Sequence, residues 1–280
     1  MINLNHTKIK MKVFISVDIE GICDVVNSEH TNNKGYLYDS ARKQMTKEAN
    51  AAIVGAFEAG ATEVIVNDSH GPMVNIMPEL LDKRAELITG TTKPLSMMQN
   101  LDDSYDAVMF VGYHARNNTP GILSHTISGG TVDNIWINDK IVGETGFNAH
   151  TASYFGVPIV MVTGDQILKE EVKDVLGEKV KFVQVKKAIT RYSAQCIHPE
   201  VACEKIQETA KSAIKNAKTI KPLEVNGPFT GKIQFLNSGK ADAASRLLGS
   251  ERVNGDTVSY TDEDLLNVIK ALNVMISLAR

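Results

Sequence analysis

The sequence has few cysteines, no long hydrophobic run and almost no excess of charge, and each of these shortages excludes a class of protein. The three cysteines, Cys23, Cys196 and Cys203, are odd in number, far apart and without a CxxC pair among 280 residues. They fit neither a disulfide framework nor a thiolate zinc site, and they favour a reducing compartment. The start of the chain is polar and lacks the apolar stretch of a secretory signal, so we expect a cytoplasmic protein.

The charge balance and the hydropathy pattern exclude two kinds of partner. Lys and Arg number 30 against 33 Asp and Glu, a net charge of −3, whereas a nucleic-acid-binding protein usually has a concentrated basic excess. No apolar run approaches the roughly 20 residues that span a bilayer, so neither nucleic acid nor a membrane is expected as a partner. A soluble globular protein remains, whose length allows a core domain with a smaller lobe.

Short apolar runs alternate with helical patterns through most of the chain. Each run is rich in β-branched or large apolar residues, as expected for strands covered on both faces. The predicted strands are 13–17, 63–67, 107–111 and 157–162. A helical stretch over residues 40–59, with apolar residues three and four apart, follows the first strand and ends at Gly60. This order predicts an α/β fold with a mainly parallel sheet and helices on both faces.

Two later segments interrupt the alternation. Residues 131–144 hold two apolar runs around Asn138 and Asp139, a turn signal that predicts a β-hairpin insertion. The region after it contains a polar amphipathic helix (198–218), a strand region (222–236) and a closing helix (261–278). We therefore expect an extension over residues 1–10, an α/β domain over 11–190 and a smaller C-terminal α+β lobe over 191–280.

Candidate metal ligands follow four of the predicted strands. Ligands of a parallel α/β sheet bind outside the carboxyl ends of its strands, so these side chains should share one cleft. The candidates are Asp18, Glu20, His70, His114 and Glu144. Carboxylates and imidazoles without a thiolate suit Zn²⁺, Mn²⁺ or Co²⁺. A single zinc site needs about three protein ligands, whereas two metal ions that share one carboxylate would use all five, and this points to metal-assisted hydrolysis.

Each of these residues also has a purely structural interpretation. An Asp at a strand end commonly caps a helix or forms a turn, and a single histidine such as His114 is commonly a hydrogen-bonded core residue. His125, in a polar stretch, is either a surface residue or a general acid or base near neutral pH. Cys23 lies close to Asp18 in the sequence, but no basic residue stands beside it to activate a thiol nucleophile.

Five motifs in series are similar to those of a known family. They are SVDIEG (16–21), NDSHG (67–71), GYHA (112–115), SHT (124–126) and GETGFN (143–148). With them, the chain resembles the zinc-dependent D-aminopeptidases, metallopeptidases associated with dipeptide-transport operons. The resemblance implies two zinc ions per subunit and a role for each motif residue: a bridging Asp18, Glu20 and His70 on one zinc, His114 and Glu144 on the other, and His125 as the catalytic histidine.

The resemblance also implies an activity and an assembly. Members of the family release N-terminal D-amino acids, such as D-alanine, from short peptides, and they form ring-like homo-oligomers. Mn²⁺ and Co²⁺ are alternative metals, since they share such ligands with zinc. Two other functions stay open: another metal-dependent hydrolase at the same site, either an amidase or a Mn-dependent phosphatase, and a non-catalytic peptide-binding module. A phosphatase would need bases to hold phosphate, and Arg116 is the only base beside these motifs.

Overall fold

The computed structural model describes residues 10–280 as two sheets with flanking helices. The predicted extension over residues 1–10 lies, apart from Lys10, outside the described residues. The strands are β1 (Lys12–Val17), β2 (Glu63–Asp68), β3 (Glu86–Ile88), β4 (Ala107–Val111), β5 (Val132–Ile137), β6 (Lys140–Val142), β7 (Ile159–Asp165), β8 (Lys181–Thr190), β9 (Ser193–Cys196), β10 (Phe229–Phe235), β11 (Ser250–Arg252) and β12 (Thr257–Asp262). The α-helices are α1 (Ser28–Thr31), α2 (Tyr38–Glu58), α3 (Glu144–Tyr154), α4 (Gln166–Leu176), α5 (Pro199–Lys215), α6 (Ser238–Ala244) and α7 (Leu265–Ala279).

The larger sheet has seven strands in the order β3-β2-β1-β4-β7-β8-β9. Its neighbouring strands are parallel except for β8 and β9. The central strands are buried along nearly their whole length, which explains why they read as apolar runs in the sequence. Helices α2 and α5 pack against each other and on the sheet, while α4 packs on β7 and β8 and against α3. The predicted α/β fold with a mainly parallel sheet is confirmed.

The smaller sheet has five antiparallel strands in the order β11-β12-β10-β5-β6. The predicted hairpin is β5 and β6, and β5 pairs with β10 from the C-terminal region. Helices α6 and α7 cover this sheet and enclose a second hydrophobic core. The hairpin therefore lies with the C-terminal strands, and α5 lies on the larger sheet. The division of the chain at residue 190 stays a prediction.

Two segments of the C-terminal region differ in detail from the sequence expectation. The closing helix begins at Leu265 rather than 261, because β12 extends to Asp262 and the Asp264 carboxylate caps the helix by accepting from the Leu266 N–H. Only Phe229–Phe235 of the predicted strand region 222–236 is a strand. Within the described residues, none of the helices has the length and apolar character needed to cross a membrane.

Candidate metal centre

The five predicted ligands converge at one place in the structure. Asp18 and Glu20 follow β1, His70 follows β2 and His114 follows β4, all at the carboxyl edge of the larger sheet. Glu144 is the first residue of α3 and follows β6, so the smaller sheet delivers it. The expectation that all four strand ends belong to one sheet is therefore wrong for Glu144. Glu144 nevertheless joins the cluster, with its Oε1 3.3 Å from His114 Nε2.

Asp18 lies between two pairs of ligands. On one side, His70 Nδ1 is 3.4 Å from Asp18 Oδ1 and 3.0 Å from Glu20 Oε2; we name Glu20 and His70 the Glu20 half. On the other side, His114 Nε2 is 3.4 Å from Asp18 Oδ2 and 3.3 Å from Glu144 Oε1; His114 and Glu144 form the Glu144 half. Each carboxylate oxygen of Asp18 thus faces one half of the cluster.

Backbone carbonyls orient the three histidine rings of the cluster. His70 Nε2 lies 2.9 Å from the carbonyl oxygen of Thr31, His114 Nδ1 lies 3.0 Å from that of the next residue, and His125 Nδ1 lies 2.9 Å from that of Leu123. A carbonyl only accepts, so each of these nitrogens donates a proton. The opposite nitrogen of each ring is then free to act as a ligand or a base, and this arrangement is common around metal-binding histidines.

Buried polar atoms without a partner mark the centre of the cluster. Among residues 10–280, Asp18 Oδ2, Glu20 Oε2 and His114 Nε2 are buried and have no hydrogen-bond partner. An unpaired buried carboxylate costs free energy that a bound cation would offset. The ligand atoms of Asp18, Glu20 and His114 all lie within 4.8 Å of one another. This mixed set of oxygen and nitrogen donors fits a divalent metal of the zinc type.

The pKa values of the cluster reflect its buried carboxylates, whose negative charge is balanced by protons on Asp18 and on the histidines. Burial and the neighbouring Glu20 carboxylate raise the pKa of Asp18 to about 8. Burial opposes protonation of His114, but the Glu144 and Asp18 carboxylates outweigh it and raise the pKa of His114 to about 10. Burial would also raise the pKa of Glu20, but the His70 imidazole lowers it well below its usual range. A divalent cation would displace such protons and balance the same negative charge.

His125 stands beside the Glu144 half. Its ring stacks on the His114 ring with centroids 4.2 Å apart and 11° between the planes, and its Nε2 is 3.7 Å from Glu144 Oε1. Burial and the adjacent His114 lower the pKa of His125, so its imidazole is neutral near neutral pH. The ligand atoms of His114, His125 and Glu144 lie close enough together for His125 to reach a metal ion as well. The catalytic role of His125 stays a prediction.

Two glycines let the loops after β1 and β4 touch. A Cβ on Gly21 would lie 1.8 Å from the carbonyl oxygen of Tyr113. Gly112 has a φ of +71°, and a Cβ there would lie 2.2 Å from the carbonyl oxygen of Asp18. The contact between these backbones places Asp18 beside His114.

Sequence reasoning missed two lysines beneath the cluster, Lys186 on β8 and Lys93 after β3. Both donate to backbone oxygens of the ligand loops. The only sequence signal is a lysine directly after Val185, at a buried position of a strand whose polar residues otherwise face solvent.

Cys23, considered above as a nucleophile, directs its thiol to the carbonyl of Ile197 at 3.1 Å, and contact with Cys196, burial and the nearby Glu48 raise its pKa. Such a thiol is a poor nucleophile.

Comparisons with known proteins cover nearly the whole chain. Residues 11–274 match the Peptidase M55 family, described as D-aminopeptidase. A D-aminopeptidase from Bacillus subtilis (strain 168) is 39% identical over 270 residues, which cover 96% of this chain and 98% of that protein. The solved structure of the Zn-dependent D-aminopeptidase DppA from Bacillus subtilis, described as a self-compartmentalizing protease, is similar with a TM-score of 0.93 at 39% identity, over 96% of this chain and 98% of that one.

Proposed function

The chain belongs to the D-aminopeptidase family and is a peptidase, and from this premise we propose that it removes an N-terminal D-amino acid, such as D-alanine, from short peptides at a centre of two zinc ions. The observation that carries the proposal is the position of Asp18, with one oxygen 3.4 Å from His70 and the other 3.4 Å from His114. A carboxylate that faces two sets of ligands in this way suits a pair of metal ions about 3.5–4 Å apart.

In this proposal each half of the cluster would hold one zinc ion. Glu20 and His70 would be ligands of the first, His114 and Glu144 of the second, and Asp18 would be a ligand shared by both. When bound at such a site, zinc would supply a water with a pKa of about 7 and would polarise the scissile carbonyl. Mn²⁺ or Co²⁺ would fit the same oxygen and nitrogen donors.

His125 is the residue that moves a proton. The carbonyl of Leu123 holds the proton on Nδ1, which leaves Nε2 unprotonated beside Glu144. Because burial and His114 lower its pKa, the neutral ring can take up a proton and pass it to the leaving amine. His125 is therefore the general acid and base of this mechanism.

The assembly is carried over from the solved relative, whereas the compartment is inferred from the cysteine usage. The solved relative is described as Zn-dependent and self-compartmentalizing, and we extend both properties to this chain as zinc binding and a ring-like homo-oligomer. Such an assembly would enclose the active sites and restrict access to short peptides. We place it in the cytoplasm, since the cysteine usage favours a reducing compartment.

Metal analysis combined with a substrate panel tests the proposed function. The panel contains D-amino-acid dipeptides, L-amino-acid dipeptides and p-nitrophenyl phosphate. We expect two zinc ions per chain, hydrolysis of the dipeptides with an N-terminal D-residue and no turnover of p-nitrophenyl phosphate. His114→Ala should lose metal and more than about 100-fold in activity, since it removes a ligand outright. The control is His198→Asn, an exposed helix-cap histidine whose replacement still caps α5. A folded His114→Ala protein with full metal content and activity would contradict the proposal, and phosphate ester hydrolysis would favour the phosphatase.

A further inference from the structure

Lys186 is a buried cation that the proposed chemistry does not use. Its side chain lies on β8 with 2% of the residue exposed. Its Nζ donates to the carbonyl oxygens of Glu20 at 2.6 Å, Ile22 at 2.8 Å and Val25 at 2.6 Å. An ammonium carries three protons, so all of its donors are used on one loop. The loop that carries Glu20 is thus wrapped around a single cation.

Lys93 makes the same kind of contact with the loop of the other ligand in this half. Its Nζ donates to the side-chain oxygen of Asn67 at 2.5 Å and to the carbonyl oxygens of Asp68 at 2.7 Å and Ile88 at 3.3 Å. Asn67 and Asp68 are the last residues of β2, directly before the loop of His70. Both loops of the Glu20 half are therefore fixed by a lysine from outside the loop.

Burial of an ammonium group costs free energy, because the charge loses its hydration. Desolvation opposes its charged form, and burial lowers the pKa of Lys186 and of Lys93 to about 8. A methionine of similar length would pack without that cost. It would also leave several carbonyl oxygens of one loop facing each other with no donor between them. What the charge supplies is a fixed loop conformation.

The Glu144 half is held by different contacts. Glu144 Oε1 accepts from the backbone N–H of Ile127 at 2.8 Å, and His114 donates to the neighbouring carbonyl. None of the hydrogen bonds of Lys186 or Lys93 found in residues 10–280 goes to this half. The hydrogen bonds of the two lysines are thus confined to the Glu20 half, although the loop after β1 also contacts the loop of His114 through Gly21 and Gly112.

We propose that Lys186 and Lys93 are positioning residues that set the zinc affinity of the Glu20 half alone. They act on Glu20 and His70 through the loops that carry them, and their hydrogen bonds go to none of the metal-ligand side chains. Loss of such outer contacts typically weakens metal affinity about 10- to 100-fold. The inference rests on the proposed two-zinc centre.

Zinc titration in single-site backgrounds tests this proposal. In the His114→Ala background, the zinc that remains lies in the Glu20 half, and adding Lys186→Met should raise its Kd about 10- to 100-fold. In the His70→Ala background, the remaining zinc lies in the Glu144 half, and Lys186→Met should leave its Kd within about twofold. The matched control is Lys187→Met, the exposed neighbour on the same strand. In the otherwise native protein, excess zinc should restore most of the kcat lost in Lys186→Met.

The possible outcomes separate this inference from the proposed function. Equal weakening in both backgrounds would show a general loss of structure and overturn the positioning role, as would an unchanged Kd in the His114→Ala background. A native protein that binds a single zinc ion would contradict the proposed function instead. If Lys186→Met does not fold, Lys93→Met tests the proposal in its place, because Lys93 is only half-buried. It should weaken zinc binding in the His114→Ala background and not in the His70→Ala background.

Discussion

At the scale of single residues, His125 differs from the other histidines of the cluster in having a lowered pKa. If His125 moves a proton as proposed, it can be removed without removing the metal, so His125→Gln should keep the zinc content of the native protein. Its kcat should fall about 10²- to 10⁴-fold, the usual contribution of a general acid or base. Metal content and kcat measured on one preparation check this. Loss of zinc in parallel with activity would show that His125 is a ligand.

A second residue, Glu48, lies outside the metal centre and should make the stability of the fold depend on pH. It is buried on α2, accepts from the Cys23 N–H at 2.8 Å, and burial raises its pKa from 4.5 to about 7. Its proton therefore stabilises the fold fully below about pH 4.5, and this contribution is lost as the pH rises through about 7. Glu48→Gln keeps the acceptor without the ionisation, so relative to the native protein it should gain about 2 kcal/mol between about pH 5 and pH 8.

Urea unfolding of both proteins at the two pH values measures this gain. The control is Glu204→Gln on the exposed face of α5, whose stability difference from the native protein should not change with pH. A Glu48→Gln protein whose stability difference is the same at both pH values would show that Glu48 is ionised throughout.

At the scale of elements, the crossing of the loops after β1 and β4 controls the geometry of the centre. The N–H of Gly21 donates to the carbonyl of Gly112 at 2.7 Å, and a Cβ at Gly21 would lie 1.8 Å from the backbone of Tyr113. Gly21→Ala must push these loops apart, which should cost about 1–3 kcal/mol of stability and at least about tenfold in zinc affinity. Calorimetry and zinc titration measure the two effects.

Gly130→Ala is the control for this substitution, since a Cβ there meets no atom within 4 Å. It should leave both quantities close to native. Native zinc affinity in Gly21→Ala would mean that the loops can separate without moving Asp18 from His114.

The elements also show where prediction from the sequence succeeds. Asp18, His70 and His114 each lie in the loop that follows a buried apolar strand, so the sequence predicts both the strand and the edge at which the ligand lies. The position of Lys186 is different, because it contacts Glu20 across 166 residues and through a backbone atom. Residue types and local spacing can mark Lys186 as unusual in its strand, but they do not identify a partner so far away in the sequence. The pairing of β5 with β10 in the smaller sheet also joins segments that are remote in sequence.

At the scale of the whole molecule, the candidate centre joins two cores. Three of its strand ends belong to the larger sheet, whereas Glu144 stands on α3, which contacts both α4 on that sheet and α7 on the smaller one. A metal ion bound here would therefore connect elements that belong to both cores. Its binding energy therefore stabilises the folded chain as a whole rather than one loop, because the ligand set does not exist in the unfolded chain.

Removal of zinc should accordingly lower the melting temperature of the entire chain. Zinc at about 100 times its Kd contributes about 2.7 kcal/mol per site, and each kcal/mol shifts the melting temperature by about 2–4 °C in chains of roughly this size. We expect a chelator to lower it by about 5–10 °C per site, as measured by calorimetry at fixed protein concentration. The double variant His70→Ala, His114→Ala lacks a ligand in each half and should show no shift with chelator. A shift of native size in that variant would mean that the stabilising metal binds elsewhere, since neither half could then hold it.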